Sequence, residues 1–418
     1  MTNVRTVVLW AFISRPHSGS EGGLGWNWAQ ALARIGHDVQ LVTMPTFRAE
    51  LEEHLSRSAD GGRISVHFTK ASEKAYGRGD KGRLSFNLDY LQWQRQALRT
   101  SRRLGLDAAD IGHHVSWGAM LLGSSLAQLG PPFVFGPAGG GQLSGWELQK
   151  YLGRSFRDTF RTIAVRHLST RLPAARETAR RAELILAANA ATETLARRLG
   201  TRRVERMLPE GVDESLLAPA PRRLQRSRDQ VVVWVGRFLP HRGAPLAVEA
   251  FGHVRRAVPT ARLVMVGAGA KRAETQRRAD ELGLRGAVEF IGELDWPSVQ
   301  QLYDQADVFL YTGIRDTSCA TGLEAAARGL PIVGVSHSGG GGCDEYPDMG
   351  ALKVSAAPVA SLASRLGKAV TDVLNDNDYE RRSNTILSFA RENTWEAKAS
   401  KMSTWYAELH RTRAMDSP

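Results

Sequence analysis

The sequence predicts two doubly wound α/β domains in one chain. Three observations carry this. Short apolar runs alternate with helix-length amphipathic stretches in the N-terminal third. That alternation stops at a proline- and arginine-rich stretch and then restarts. The 418 residues are also too many for one ordinary core and suit two domains of about 150 to 200 residues each.

The first strand is expected at Thr6 to Ile13, a helix at Gly25 to Ile35 and a strand at Val39 to Thr43, with Gly36-His37 as the tight connection. Strand, glycine loop, helix and strand in that order indicate a parallel sheet with crossover helices. Further strands are expected at Ile64 to Phe68, Ala109 to His113, Pro132 to Phe135, Leu184 to Ala188 and Val204 to Leu208. Residues 151 to 181 read as an amphipathic helix, with Leu152, Phe156, Phe160 and Ile163 on one face and Arg154, Arg157 and Arg161 on the other. Glu214 to Asp229 lacks an apolar period and is expected to be the interdomain linker. Strands then recur at Val231 to Val235, Arg262 to Val266, Val288 to Ile291, Val308 to Tyr311 and Ile332 to Val335. Helical segments such as Pro245 to Ala257 and Ala270 to Leu282 separate them. Two such halves are expected to face each other and hold a ligand at the carboxyl ends of their strands.

Composition narrows the class. Hydrophobic residues make up 42% and charged residues 23%, the balance of a folded protein. No apolar run approaches the roughly 20 residues of a membrane-spanning helix, and the Val7 to Ile13 run reads as a strand rather than a signal peptide, so a cytoplasmic location is expected. Cys319 and Cys343 lack metal-ligand spacing and read as reduced thiols. The net charge of +12 sits mainly in the middle third, where Lys150 to Arg181 carries +7 and Glu183 to Arg228 carries +3.

Four signals fall at strand-to-loop junctions. Gly19-Ser20-Glu21-Gly22-Gly23, with Gly25-Trp26, lets the backbone approach a ligand and offers helix-start N–H groups; a plain tight turn is the alternative. Gly236-Arg237 with Arg242-Gly243 places two guanidiniums where they can grip a diphosphate, unless both are solvated surface residues. Asp316 precedes Glu324 by eight residues, and the pair can accept hydroxyl hydrogen bonds while the helix start between them faces phosphate oxygens. Helix capping by Asp316 and a structural Glu324 form the alternative. His113-His114 ends a strand, where a ring nitrogen can bond a sugar hydroxyl or serve structure alone.

Together with Val266-Gly267-Ala268-Gly269, Phe290-Ile291-Gly292, Ala306-Asp307-Val308 and Gly136-Pro137-Ala138-Gly139-Gly140-Gly141, these pieces follow one another in a characteristic order. Nearly the whole chain resembles a bacterial branch of the family-4 retaining glycosyltransferases, whose fold is GT-B. The resemblance implies a nucleotide-sugar-binding domain at 230–390, an acceptor-side domain at 1–213, a linker at 214–229 and a helix from 391 that crosses back, loose from about Arg411. It implies Arg237 and Arg242 on the diphosphate, Glu324 on the ribose and Asp316 on the transferred sugar. Thr317, Ser318, Cys319, Ala320 and Gly267 would also contact the donor. Gly22 and Gly23 would close on it from the other domain, with His114 or His113 near the sugar. Glu21, Trp26, Gly139 and Gly140 fall on the acceptor side. Where the family usually shows Glu and Lys, this chain has Asp316 and Arg242.

The resemblance also implies transfer with retention, in which the departing phosphate takes the acceptor's proton. Neither a metal nor another cofactor is expected. A nicotinamide-dependent dehydrogenase would want a third glycine where Arg272 stands. A nucleic-acid binder would want a known module, and none is found. A nucleotide-sugar epimerase and a non-catalytic sugar-nucleotide-binding protein stay open. The basic 150–181 segment suggests weak contact with an anionic membrane, against the alternative of a helix packed on the first domain.

Overall fold

The computed structural model describes residues 5–57, 62–70, 83–144, 146–152, 165, 169–225, 229–337, 339 and 342–416. The chain divides into two compact units. The first comprises Met1–Gly141, Ala164–Gly211 and Trp395–Pro418, and the second Gln142–Ile163 and Val212–Thr394.

In the first unit, β1 (Thr6–Trp10), β2 (Asp38–Thr43), β3 (Ile64–Phe68), β4 (Ile111–His114), β5 (Phe133–Ala138), β6 (Leu184–Ala187) and β7 (Val204–Arg206) form one sheet. Its order is β3-β2-β1-β4-β5-β6-β7, with every pairing parallel. Side chains alternate across a strand, so β1 feeds two cores at once. Val7 and Leu9 pack in a layer with Trp28, Trp395 and Tyr406, while Val8 and Trp10 pack in the opposite layer with Tyr90 and Trp93. The order reverses between β1 and β4, the switch point at which open α/β sheets bind ligands.

In the second unit, β8 (Val231–Val235), β9 (Arg262–Val266), β10 (Val288–Gly292), β11 (Val308–Tyr311), β12 (Ile332–Ser336) and β13 (Ala351–Ser355) form a parallel sheet of order β10-β9-β8-β11-β12-β13. Its switch point lies between β8 and β11. The helix Ala244–Ala257 packs on Leu362–Leu374 through Leu246, Ala250, Phe251, Leu366 and Val370, all fully buried.

Several boundaries differ from expectation. The first helix, α1 (Ser20–Arg34), begins five residues before Gly25, which puts Gly22 and Gly23 inside it. Two more helices of the first unit, α2 (Arg48–Arg57) and α3 (Arg83–Arg103), carry residues used below. The stretch read as a linker belongs, where described, to the second unit. Ala218 N–H donates to the Ala327 carbonyl at 2.7 Å, and the Arg222 guanidinium donates to the carbonyls of Tyr303 and Asp304 at 2.8 and 2.6 Å. Those carbonyls close the helix Trp296–Gln305, whose last turn lacks intrahelical donors, so an arginine is a fitting cap. The C-terminal helix, Trp395–Asp416, runs past Arg411 and belongs to the first unit, where Trp395 meets Trp28 edge-on at 5.7 Å. Of the basic 151–181 segment, 153–164 and 166–168 lie outside the described residues, including Phe156, Phe160, Ile163, Arg154, Arg157 and Arg161. Pro173–Arg181 is helical.

Candidate functional site

In the second unit the loops after β8, β9 and β11 are stitched together by backbone bonds. Gly267 has φ +125° and Gly243 has φ +66°, values that favour glycine, and a Cβ at Gly243 would run into the Thr312 carbonyl. Phe238 N–H donates to Ala268 O at 2.8 Å, Gly267 N–H to Gly292 O at 2.6 Å and Ile314 N–H to His241 O at 2.8 Å. Trp234 Nε1 donates to Thr312 Oγ1 at 3.0 Å, and that hydroxyl donates to Arg242 O at 3.0 Å. The side chains carried by these loops are therefore set by the strand tips.

Arg242 forms an ion pair with Asp316 through Nη1 and Oδ2, with only 25% and 16% of the two side chains exposed. Tyr311 Oη donates to the same oxygen at 3.1 Å, and Thr317 N–H donates to Oδ1 at 3.1 Å. Burial pushes the Asp316 carboxyl above the usual range, while Arg242, the two hydrogen bonds and the charge of Arg237 pull it back. Arg237 itself is exposed, two residues past the end of β8. Thr317 Oγ1 accepts from Gln142 Nε2 at 2.8 Å, and Ser318 is buried.

Cys319 caps the helix Ala320–Ala327, and its carbonyl accepts from Tyr346 Oη at 2.6 Å. Both cysteines are free and buried, and burial raises both thiols. Glu324 is half-buried one turn into that helix, with Tyr303 Oη at 3.5 Å from Oε2. The structure thus gathers Arg237, Arg242, Gly267, Asp316, Thr317, Ser318, Cys319, Ala320 and Glu324 beyond the carboxyl ends of β8, β9 and β11. Sequence reasoning missed Tyr311, Thr312 and Gln142, which hold Asp316, Arg242 and Thr317; no local pattern marks them.

In the first unit the glycines of α1 serve close packing. A Cβ at Gly23 would run into the Ser18 carbonyl, and one at Gly25 into the Ala11 and Ser14 side chains. Gly22 O accepts from Arg15 N–H at 2.9 Å. Glu21 Oε1 accepts from Trp117 N–H at 2.6 Å, and burial raises the carboxyl to about 7, reinforced by the charge of Glu210. Gly139 pairs with the loop that carries Trp117, donating to Gly118 O at 2.7 Å and accepting from Met120 N–H at 3.0 Å. Gly140 follows with φ +125°. Trp26 is placed apart from these, 1% exposed, with its ring against His54 at 5.1 Å.

The two histidines differ from expectation. Neither is exposed at all, and both nitrogens of each ring have partners inside the first unit. His113 meets Tyr406 Oη at 2.6 Å and Gly136 O at 2.7 Å. His114 meets Tyr90 Oη at 3.1 Å and Ser124 Oγ at 2.7 Å. Burial drives the rings down to about 4 and about 3, so both are neutral at pH 7. A strand tip in sequence does not reveal that aromatic layers close over both faces. Among the described residues no group of three or more His, Cys, Asp or Glu converges on a common point, and no helix is long and apolar enough to cross a membrane.

Residues 220–386 match the family model described as glycosyl transferases group 1. Among curated proteins, the GDP-mannose-dependent alpha-(1-6)-phosphatidylinositol monomannoside mannosyltransferase of Mycolicibacterium smegmatis is 31% identical over 32% of this chain and 38% of its own. The mannosylfructose-phosphate synthase of Agrobacterium fabrum is 28% identical over 32% of this chain and 33% of its own. The chain thus spans well under half the length of these relatives. Solved structures match almost end to end. Sucrose-phosphate synthase from Thermosynechococcus elongatus superposes with TM-score 0.64 at 18% identity, covering 98% of this chain and all of its own. Anabaena HepE in complex with UDP and glucose superposes with TM-score 0.55 at 15% identity, each chain covered in full. Residues 220–386 are thus similar to the glycosyl transferases group 1 family, and the chain as a whole has the GT-B fold.

Proposed function

We propose that the protein is a glycosyltransferase that moves a sugar from a nucleoside-diphosphate donor to an acceptor hydroxyl with retention of anomeric configuration. The observation that carries the reading is the gathering of Arg237, Arg242 and Asp316 at the start of the helix Ala320–Ala327. Two guanidiniums and a helix N-terminus suit a diphosphate, and a carboxylate beside them suits sugar hydroxyls. Relatives whose names specify GDP-mannose, and fold neighbours solved with UDP or UDP-glucose, support the same donor class.

In this reading the bond between the anomeric carbon and the diphosphate oxygen breaks as the acceptor oxygen bonds to that carbon from the same face. The acceptor's proton passes to the departing phosphate. The barrier lies in separating an anion from an oxocarbenium-like sugar, and Arg237, Arg242 and the helix-start amides stabilise the anion as it forms. Glu324 accepts from the ribose, with Tyr303 beside it. The charge is met by protein groups, so the reaction is proposed to run without a metal.

Nucleotide sugars, UDP-glucose and GDP-mannose included, can be screened by thermal shift, since a ligand that prefers the native state raises its melting temperature. Nucleoside diphosphate released only when an acceptor is supplied supports transfer. A donor that binds but yields an epimerised sugar, or no product with any acceptor, rejects transfer in favour of an epimerase or a binding protein.

A further inference from the structure

The segment Gln142–Ile163 interrupts the first unit's stretch of chain and belongs to the second unit; of it, residues 142–144 and 146–152 are described. They are fastened there along their length. Leu143 N–H donates to Gly339 O at 3.0 Å, and a Cβ at Gly339 would run into the Leu143 carbonyl, so the two backbones meet with no side chain between them. Leu148 and Leu152 are buried in the second unit's core, and Tyr151 Oη donates to Glu249 Oε2 at 2.9 Å. The short helix Gln149–Leu152 lies against the turn Pro240–Arg242, which carries Arg242.

The first residue of this segment meets the other half of the ion pair. Gln142 is buried, and its Nε2 donates to Thr317 Oγ1 at 2.8 Å. Thr317 N–H in turn donates to Asp316 Oδ1 at 3.1 Å. The second carboxylate oxygen is engaged by Arg242 and by Tyr311 Oη. Among the described residues only Thr317 N–H bonds Oδ1, and a carboxylate oxygen takes two donors, so Oδ1 is the oxygen left for a hydroxyl. A chain of contacts from a pinned backbone through Gln142 and Thr317 therefore sets the direction of that oxygen, and direction is what a hydroxyl-reading group needs.

We infer that Gln142 is a positioning residue for the sugar half of the donor. Through Thr317 it aims Asp316 Oδ1, and with it the choice between sugars that differ at one hydroxyl, while the diphosphate half is left to Arg237 and Arg242. This assignment rests on the glycosyltransferase reading above and deepens it.

The test titrates the full chain by calorimetry with UDP, UDP-glucose and UDP-galactose, and with GDP, GDP-mannose and GDP-glucose, so that the sugar's share of binding is read apart from the diphosphate's. In Gln142→Ala the nucleotide sugar preferred by wild type is expected to bind about tenfold more weakly and its lead over the epimer to shrink by a similar factor, with the nucleoside diphosphate within about twofold of wild type. Gln142→Asn falls a methylene short of Thr317, and Thr317→Val keeps the N–H but loses the hydroxyl. Both are expected to match Gln142→Ala, and Thr317→Ser to stay near wild type. Gln142→Ala combined with Thr317→Val is expected to lose no more than either alone, because both cut the same chain of contacts. Should Gln142→Ala fail to fold, judged by circular dichroism, the Asn and Val variants decide.

Four results overturn the positioning role and leave the transferase reading intact: equal binding of the epimers by wild type, sugar binding unchanged in the folded variants, diphosphate and nucleotide sugar weakened alike, or losses that multiply in the double variant. Failure of every nucleotide sugar to bind wild type overturns both.

Discussion

Arg242 and Asp316, 74 residues apart in sequence, neutralise each other at the mouth of the second sheet. Separate roles on phosphate and sugar would leave each charge committed to a ligand, yet the two are mutual counter-ions. A diphosphate arriving at Arg242 competes with Asp316, and a sugar hydroxyl arriving at Asp316 competes with Arg242. Under the proposed function, one ion pair would couple the two halves of the donor.

Removing the carboxylate frees the guanidinium. Asp316→Asn is expected to bind nucleoside diphosphate several-fold more tightly by calorimetry, while turnover of the nucleotide sugar falls by about two orders of magnitude. Weaker diphosphate binding in that variant would contradict the competition.

Removing the cation has the opposite consequence. Arg242→Ala leaves Asp316 buried without its counter-ion, a loss of about 1–3 kcal/mol given that both side chains are partly exposed. Urea unfolding at pH 7 measures it, and the deficit should shrink as the pH is lowered and Asp316, already raised by burial, takes up a proton.

Arg237 lowers the Asp316 carboxyl through its charge, and it lies exposed at the tip of β8. Arg237→Ala is expected to lower donor turnover by about two orders of magnitude or more with little change in melting temperature. Unchanged turnover would reject its place on the diphosphate, and inhibition of wild type by EDTA would reject a metal-free reaction.

Glu21 titrates near 7 in the fold against 4.5 unfolded, so the native state binds its proton more tightly. Its contribution to stability is complete below about pH 4.5 and is lost as the pH rises through 7. Trp117 N–H lowers it and the charge of Glu210 raises it, while the Glu21 charge in turn raises the Tyr90 hydroxyl. Glu21→Gln, which carries no ionisable group, should gain in melting temperature relative to wild type between pH 5 and pH 8. A pH-independent difference would show that the carboxyl does not titrate there.

His113 and His114 behave in the other sense. Their folded values of about 4 and about 3 lie below the ordinary 6.5, so the unfolded chain binds protons that the fold refuses. Their support of the fold is present above about pH 6.5 and declines as the pH falls toward 4. His114→Ala should cost about 2–4 kcal/mol through a cavity and the stranded Tyr90 and Ser124 hydroxyls. Loss of turnover at full stability would instead make His114 a catalytic residue.

The strand tips were legible in the sequence, and with them Arg237, Arg242 and the Asp316 to Glu324 stretch. A parallel strand followed by glycine marks where a sheet edge ends whatever packs around it. The contacts of 214–229 with the second unit are not legible in sequence, because an arginine that caps carbonyls has the same composition as one in water, and only Arg222 meeting the end of the helix Trp296–Gln305 distinguishes the two. Likewise nothing local marks Trp117 as having positive φ, since the contacts that hold it come from Glu21 and from Gly139 just past β5.

What the sequence determined by itself is the repeating strand and helix order of both units and the loops on which charge and glycine fall, because side-chain period and turn chemistry are set within a few residues by backbone geometry. The tertiary structure alone decided which of those groups meet. It buried His113 and His114 among aromatic layers, paired Arg242 with Asp316 and set Glu21 beneath Trp117. Each of these depends on segments brought together by burial over long chain separations, and local pattern carries no record of that choice.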